Sequence, residues 1–261
     1  MSRVALLAFG VFAYACFLAA FAAGAEFVTG AGFVRGLDDP AAPSAPAAIA
    51  VDLALLALFG ISHSVMARPA FKRRWTKVVP HAAERSVYVL TASVCLGLTF
   101  WQWRALPQPI APLWNVASAG ARAVLWVLTA GGFLLAVAST FLTDHFDLFG
   151  LRQVWLAARG RPYEPVPFKA RALYRLVRHP MMLGLLVVFW ATPTMRWDRA
   201  LFAIGMTAYI AIGITFEERD LERTFGESYR RYRREVRAVI PLPRFTSAAK
   251  PETRGRSSDP G

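Results

Sequence analysis

The sequence predicts an all-α fold: a polytopic integral membrane bundle of about six transmembrane helices, the last two a short hairpin, followed by a C-terminal amphipathic helix. Three observations carry that prediction. Hydrophobic residues make up 56% of the 261-residue chain and charged residues only 18%, which disfavours a water-soluble globule. The apolar residues come in long blocks, not in the alternating or single-stripe patterns of soluble strands and helices. The basic residues gather in alternate connecting segments, as they do when one side of a membrane collects them.

Six apolar blocks are visible, at 4–25, 49–66, 86–103, 123–143, 181–195 and 201–216. A helix needs about 20 apolar residues to cross a bilayer, with a lower limit near 17. The first four blocks meet that length. The last two are shorter and are separated only by residues 196–199, so they form a hairpin that spans or re-enters the membrane and returns to the same side. Block 4–25 follows Arg3 and ends in small residues, as a signal peptide would. Its length favours a retained helix. Cys16 and Cys95 lie inside apolar blocks, with no disulfide or metal-ligand spacing. The chain divides into a four-helix membrane region (1–143), a cytoplasmic loop, hairpin and amphipathic helix (144–245) and a disordered tail (246–261).

The net charge of +13 invites a nucleic-acid reading. No segment interleaves base-stacking aromatics with a basic groove, so nucleic acid is excluded as a partner. With the N-terminus in the cytoplasm, 25 of the 30 Lys and Arg fall on the inner side. That bias puts both termini on the cytoplasmic face of a bacterial-type inner membrane, and it suits anionic lipid in the surrounding bilayer. Trp101, Trp103, Trp114 and Trp197 fall near outer helix ends, as an aromatic belt would. After the last block, Leu221, Phe225, Tyr229, Tyr232 and Val236 make one helical stripe with arginines on the other faces, which reads as an amphipathic helix on the inner leaflet or capping the bundle.

The stretch "YRLVRHPMMLG" (174–184) stands at the mouth of the fifth block. Pro180 suits the first position of a helix. The helix start would aim free N–H groups and a positive dipole at the cytoplasm. Arg175 and Arg178 add charge, His179 sits at the rim, Tyr174 offers an aromatic face, and Glu217 and Glu218 close the hairpin at the same level. That set matches a ligand with a carboxylate, an amine and a cationic centre, and S-adenosyl-L-methionine is such a ligand.

The pattern of Tyr174, Arg178, His179, Pro180 and Gly184, followed by Glu217, Glu218, Leu221, Phe225, Gly226, Tyr229, Tyr232, Val236, Ile240 and Pro241, resembles the membrane methyltransferases of the isoprenylcysteine carboxyl methyltransferase type. "TDHFDLFGLRQVW" (143–155), taken with the turn and hairpin, is more narrowly similar to the methanethiol S-methyltransferase family, over residues 140 to 241. The resemblance implies S-adenosyl-L-methionine as cofactor and methanethiol as substrate. It maps cofactor contacts onto Tyr174, His179, Pro180, Met181, Met182, Glu217 and the segment holding Val166 and Lys169. Two positions depart from it. Met182 stands where many relatives have Tyr, and Gly213 stands where the carboxyl methyltransferases hold their substrate's carboxylate with Arg. A site without that Arg suits a small neutral thiol, lined by Met181, Met182 and Phe216.

A thiol must be ionised to attack, and a free cysteine's pKa is about 8.5. The candidates for base are His145 and His179, with Asp144 or Asp147 orienting and Arg178 supplying a positive field. His63 is a secondary candidate, and Asp52 is read as a helix-start residue. No metal is expected. Three other classes stay open on the residues alone: a phospholipid or prenylcysteine methyltransferase, a membrane reductase with a similar hairpin, and a non-enzymatic membrane partner.

Overall fold

A computed structural model describes residues 2–30, 44–107, 111–165 and 172–240. Helix α1 (Arg3–Thr29) starts where the Ser2 side chain accepts from the Ala5 amide, and it ends at Gly30 in the left-handed region. α2 (Ala45–Ala67) and the short α3 (Pro69–Trp75) each carry proline in the first turn. α4 (His81–Gln102) leads through strand β1 (Trp114–Asn115) to α5 (Ala119–Thr143). The inner connection folds as α6 (His145–Leu148), α7 (Leu151–Ala158) and a 3-10 turn, Ala172–Arg175. The hairpin is α8 (Pro180–Trp190), strand β2 (Thr194–Met195) and α9 (Trp197–Phe225), and α10 (Glu227–Glu235) follows.

Among the described residues four helices, α1, α2, α5 and α9, are long and apolar enough to cross a membrane. The expectation of six is therefore met for four. α4 covers the third block but begins in charged residues. α8 has 11 residues, about 16 Å at 1.5 Å each, roughly half the hydrocarbon thickness. Extended chain through β2 carries this arm onward to the start of α9. Unpaired backbone is costly away from water, and here it is paired. Leu113 and Val116 amides donate to Met195 and Pro193 carbonyls at 2.8 and 2.9 Å, Trp114 Nε1 donates to the Thr192 carbonyl at 2.9 Å, and the Thr129 hydroxyl donates to the Ala191 carbonyl. A two-residue sheet, Trp114 opposite Met195, results. No apolar block could foretell it.

The main core joins Phe27 of α1, Phe59 of α2, Phe100 and Trp103 beside α4, Val188 and Phe189 of α8, and Phe202, Met206 and Ile210 of α9. α5 and α8 touch backbone to backbone. A Cβ on Gly184 would lie 2.5 Å from the Gly132 carbonyl oxygen, the close approach that small residues permit between membrane helices. Apolar side chains such as Val127 and Leu134 stay 70% exposed, a surface suited to lipid rather than water. Trp101, Trp114 and Trp197 are exposed as a belt requires, but Trp103 is 3% exposed and belongs to the core.

Two further expectations are corrected. Asp52 is fully buried, and its Oδ1 accepts from the Arg104 amide at 2.8 Å, pinning the α4–β1 connection onto α2. The amphipathic segment is not one helix. α9 runs on through Glu217, Glu218, Leu221 and Phe225, and the chain bends only at Gly226, with φ of 55°. The bend turns Tyr229 inward until it is 1% exposed.

Reporter fusions after residues 80 and 165 are expected to read cytoplasmic, and a fusion after 115 external. An external signal at 165 would reverse the assigned orientation.

Candidate functional site

The Arg178–Pro180 turn is built by two distant pieces of chain. Val177 pairs in parallel with Arg237, and the Arg178 and His179 amides donate to the Arg237 and Ala238 carbonyls at 2.8 and 2.9 Å. Pro180 then starts α8 with its ring buried. The Arg178 side chain is 7% exposed and Glu218 6%. Arg178 Nε and Nη2 donate to Glu218 Oε1 at 2.8 and 2.5 Å, and Nη1 donates to the Arg233 carbonyl at 3.1 Å and to the Val236 carbonyl. Glu218 Oε2 faces Arg233 Nε at 3.2 Å. The guanidinium expected to hold a ligand or to supply a field is spent inside the protein. It clamps the start of α8 to the end of α9 and the chain after α10.

Consecutive helical residues point about 100° apart. With Glu218 facing inward to Arg178, Glu217 faces the other way, and its side chain is 51% exposed. His179 lies between them, with Nε2 3.1 Å from Glu218 Oε1 and Nδ1 3.6 Å from Glu217 Oε2. The Met181 and Met182 amides stand in the first turn of α8, where a helix supplies no partner of its own. The Tyr174 hydroxyl is 2.7 Å from Thr143 Oγ1 at the end of α5, and the Tyr232 hydroxyl donates to the Tyr174 carbonyl at 2.5 Å. Glu217 is within electrostatic reach of the Tyr174 phenol. Tyr174, His179, Pro180, Met181, Met182 and Glu217 therefore converge at one end of the bundle. Val166 and Lys169 lie outside the described residues.

Beside this set opens a cleft of about 1030 Å³, at the upper end of the roughly 300–1,000 Å³ usual for small-molecule sites. Tyr174, Thr143 and Asp144 line one wall, Glu84 and Arg85 of α4 another, and Leu221 and Phe225 a third. Leu221 is one helical turn beyond Glu217. Among the described residues no group of three His, Cys, Asp or Glu is placed to hold a metal ion.

His145 borders the cleft but is 7% exposed. Its Nδ1 is 2.7 Å from Thr140 Oγ1 and its Nε2 2.6 Å from the Tyr14 hydroxyl. Thr140 already donates to the Val137 carbonyl, so it accepts from Nδ1–H and the phenol donates to Nε2. The ring stacks on Phe141 at 4.2 Å and meets Phe146 and Phe149 edge-on. Burial lowers its pKa from 6.5, against the raising effect of Asp144. Asp144 was expected to orient the imidazole, but its Oδ1 accepts from the Asp147 amide and caps α6, with φ of 121°. Asp147 pairs with Arg152 at 2.9 Å. Thr140 and Tyr14 are the orienting groups. The sequence signal for Tyr14 was a lone phenol inside an apolar block.

Of the residues proposed to line a thiol pocket, Met182 packs against the main core. Phe216 faces α2, with the Arg68 guanidinium 4.7 Å above its ring and Arg219 at 5.9 Å, apart from the Glu217 side of α9. His63 of α2, the secondary candidate, lies between two phenols, with Nδ1 2.6 Å from the Tyr209 hydroxyl and Nε2 2.6 Å from that of Tyr88.

The chain that gathers carboxylate, imidazole, phenol and helix start at one end of its bundle is similar in sequence to known proteins. The NnrU protein family model matches residues 53–236. Methanethiol S-methyltransferase of Mycobacterium tuberculosis (strain ATCC 25618 / H37Rv) is 48% identical over 243 residues, 93% of this chain and 98% of that protein. Methanethiol S-methyltransferase 2 of Bradyrhizobium diazoefficiens is 45% identical, covering 92% of this chain and 91% of its own. Nurim of Rattus norvegicus is 32% identical over 238 residues, 80% of this chain and 87% of its own. No solved structure matches the chain. The chain belongs to the NnrU family and, within it, to the group of methanethiol S-methyltransferases.

Two outcomes follow from the geometry. Arg178→Ala leaves the buried Glu218 only Arg233 and His179 as partners, so it should cost up to about 3 kcal/mol, the lower end for breaking a buried pair, read as a loss of thermal stability in detergent. Arg178→Lys should recover only part of it, because an ammonium cannot reproduce the fork. For His145, burial holds the folded pKa below the unfolded 6.5. The unfolded chain therefore takes up the proton first. The contribution is complete above pH 6.5 and is lost as pH falls from there through the folded pKa. Melting temperatures across that window should fall for the wild type, and the slope should flatten in His145→Gln.

Proposed function

We propose that this chain methylates methanethiol to dimethyl sulfide, with S-adenosyl-L-methionine as methyl donor, at the cytoplasmic face of a bacterial inner membrane and with both termini inside. The observation that carries the reading is identity of 41–48% to methanethiol S-methyltransferases across nearly the whole chain. The geometry supports it from a second direction. The cleft is large enough for a nucleoside-sized molecule, and Tyr174 in its wall belongs to the set of groups that offers the complementary chemistry.

The half-exposed Glu217 carboxylate accepts from an amine or from ribose hydroxyls. The Met181 and Met182 amides, with the positive end of α8 behind them, take a carboxylate. Pro180 leaves the first turn uncrowded, and His179 holds the level of Glu217. The Tyr174 face receives a cation, and the segment with Val166 and Lys169 supplies backbone contacts. The donor supplies an electrophilic methyl group on a sulfonium. The chain's work is alignment of a small thiol against it and exclusion of water. Gly213 leaves this position without the cation that a prenylcysteine carboxylate would need, which supports a neutral thiol.

Glu217→Gln should weaken S-adenosyl-L-methionine binding at least tenfold in calorimetry on the purified protein, with an unchanged melting temperature. Unchanged affinity would remove Glu217 from the site. Cells expressing the chain with added methanethiol should release dimethyl sulfide into the headspace. Turnover of a prenylcysteine analogue in place of methanethiol would overturn the substrate assignment.

A further inference from the structure

We propose that Tyr88 and His63 form the proton-accepting relay for the thiol, and that the thiol sits in the open space over Gly213 between this relay and Glu217. The inference rests on the methyltransferase reading and names the groups that activate its substrate.

The observations are these. Tyr209, Gly213 and Glu217 follow one another at steps of four on α9, so they lie on one gently winding stripe. Tyr209 reaches α2, where its ring passes 3.2 Å from the position of a Cβ on Gly60, and its hydroxyl meets His63. Glu217 ends the stripe at the cofactor level, about 12 Å further along the helix axis. Between them Gly213 is half-buried, yet a Cβ placed on it would meet nothing within 4 Å. Open space thus lies over α9 between the residue that meets the phenol–imidazole cluster and the one that carries the carboxylate. Tyr88 joins the cluster from α4. Its hydroxyl is 2.6 Å from His63 Nε2, and Glu217 is within its electrostatic reach.

The hydrogen count makes the cluster a relay. A neutral imidazole has one N–H and one lone pair, so one phenol donates to it and the other accepts. The Ser64 hydroxyl donates to the Tyr209 oxygen from the same helix as His63. The Tyr88 hydroxyl reaches both ring nitrogens, Nε2 at 2.6 Å and Nδ1 at 3.1 Å, and the relay takes the tautomer in which Nδ1–H donates to Tyr209 and Tyr88 donates to the nearer Nε2. The charged and titratable groups facing His63 are Tyr88 and Arg85 from α4 and Tyr209 from α9; Glu217 acts on Tyr88 and Arg68 on Tyr209. An ionisable side chain inside a span without a paired charge is expensive and is a functional candidate by default.

The step balances. The thiol S–H bond breaks as its proton passes to the Tyr88 oxygen, while the Tyr88 proton passes to His63 Nε2. The thiolate then attacks the sulfonium methyl carbon. The new S–C bond forms, the old one breaks, and its electron pair stays on the donor sulfur. The proton leaves His63 through Tyr88 toward Glu217 and the cytoplasmic cleft, so the net release is one proton per methyl transferred. Tyr88 is the group that touches the thiol. His63 acts through it.

The test uses the full chain in lipid nanodiscs, with S-adenosyl-L-methionine and either methanethiol or the far more acidic trifluoroethanethiol. Tyr88→Phe and His63→Gln should each lower the rate with methanethiol at neutral pH by about 100-fold, the scale of general-base catalysis. The deficit should shrink about tenfold per pH unit as the solvent supplies thiolate, and it should vanish with trifluoroethanethiol. Affinity for S-adenosyl-L-methionine should stay within twofold of the wild type. Undiminished rates in both variants would overturn the relay, as would an equal loss at every pH and with both thiols. If His63→Gln fails to fold, Tyr88→Phe decides alone, since it keeps the ring. A wild type that methylates neither thiol overturns the functional reading and the relay with it. A wild type that makes dimethyl sulfide while the variants match it overturns the relay only.

Discussion

The pairing of Arg178 with Glu218 is the constraint on which the rest of the structure depends. Both side chains are nearly fully buried. Burying two charges costs several kcal/mol each, and their attraction offsets this only when the remaining donors and lone pairs are also satisfied. Here they are. Two guanidinium nitrogens bind one carboxylate oxygen, a third binds two backbone carbonyls, and Arg233 takes the other carboxylate oxygen. A network that complete tolerates little displacement. It sets the level at which α8 begins, the rotation of α9 about its axis, and the path of the chain after α10.

The rotation of α9 then decides which neighbouring carboxylate is available to a ligand. Glu217 and Glu218 are equivalent in composition and adjacent in sequence. Once Glu218 is committed inward, the helical geometry sends Glu217 outward to His179. The same rotation presents Leu221 and Phe225 to the cleft and Tyr209 to α2. One buried ion pair thereby fixes which side chains α9 presents along its length. Chemistry that relies on alignment benefits from such rigidity.

At the opposite end the same economy of polar groups appears. Asp52 accepts from the Arg104 amide. Asp198 accepts from the Leu106 amide at 3.4 Å, and Arg199 donates to the Val28 carbonyl at 2.7 Å. These side chains and the two-residue sheet satisfy the backbone of the connections, which is what allows α8 to be short. A chain that needs a helix start beside Glu217 and extended structure at the far end can cover the distance with 11 helical residues and a paired extended segment.

The sequence by itself determined the membrane character, the helical class, the positions of the apolar blocks, and the meeting of the Arg178–Pro180 turn with the Glu217–Glu218 pair, because block length, proline position and hairpin closure are local properties read along one dimension. It also marked His145, His63 and Asp144 as chemically capable. Tertiary structure alone decided what each of them touches. Asp144 caps a helix of four residues, His145 is enclosed by Tyr14, Thr140 and three phenylalanines, and His63 lies between two phenols from helices 25 and 146 residues away along the chain. It also decided that Arg178 binds protein rather than ligand, and that Phe216 packs under Arg68. Those outcomes depend on which faces of non-consecutive helices meet, and on where buried charge can find enough partners. Both are set by three-dimensional packing, which no spacing of residues along the chain encodes.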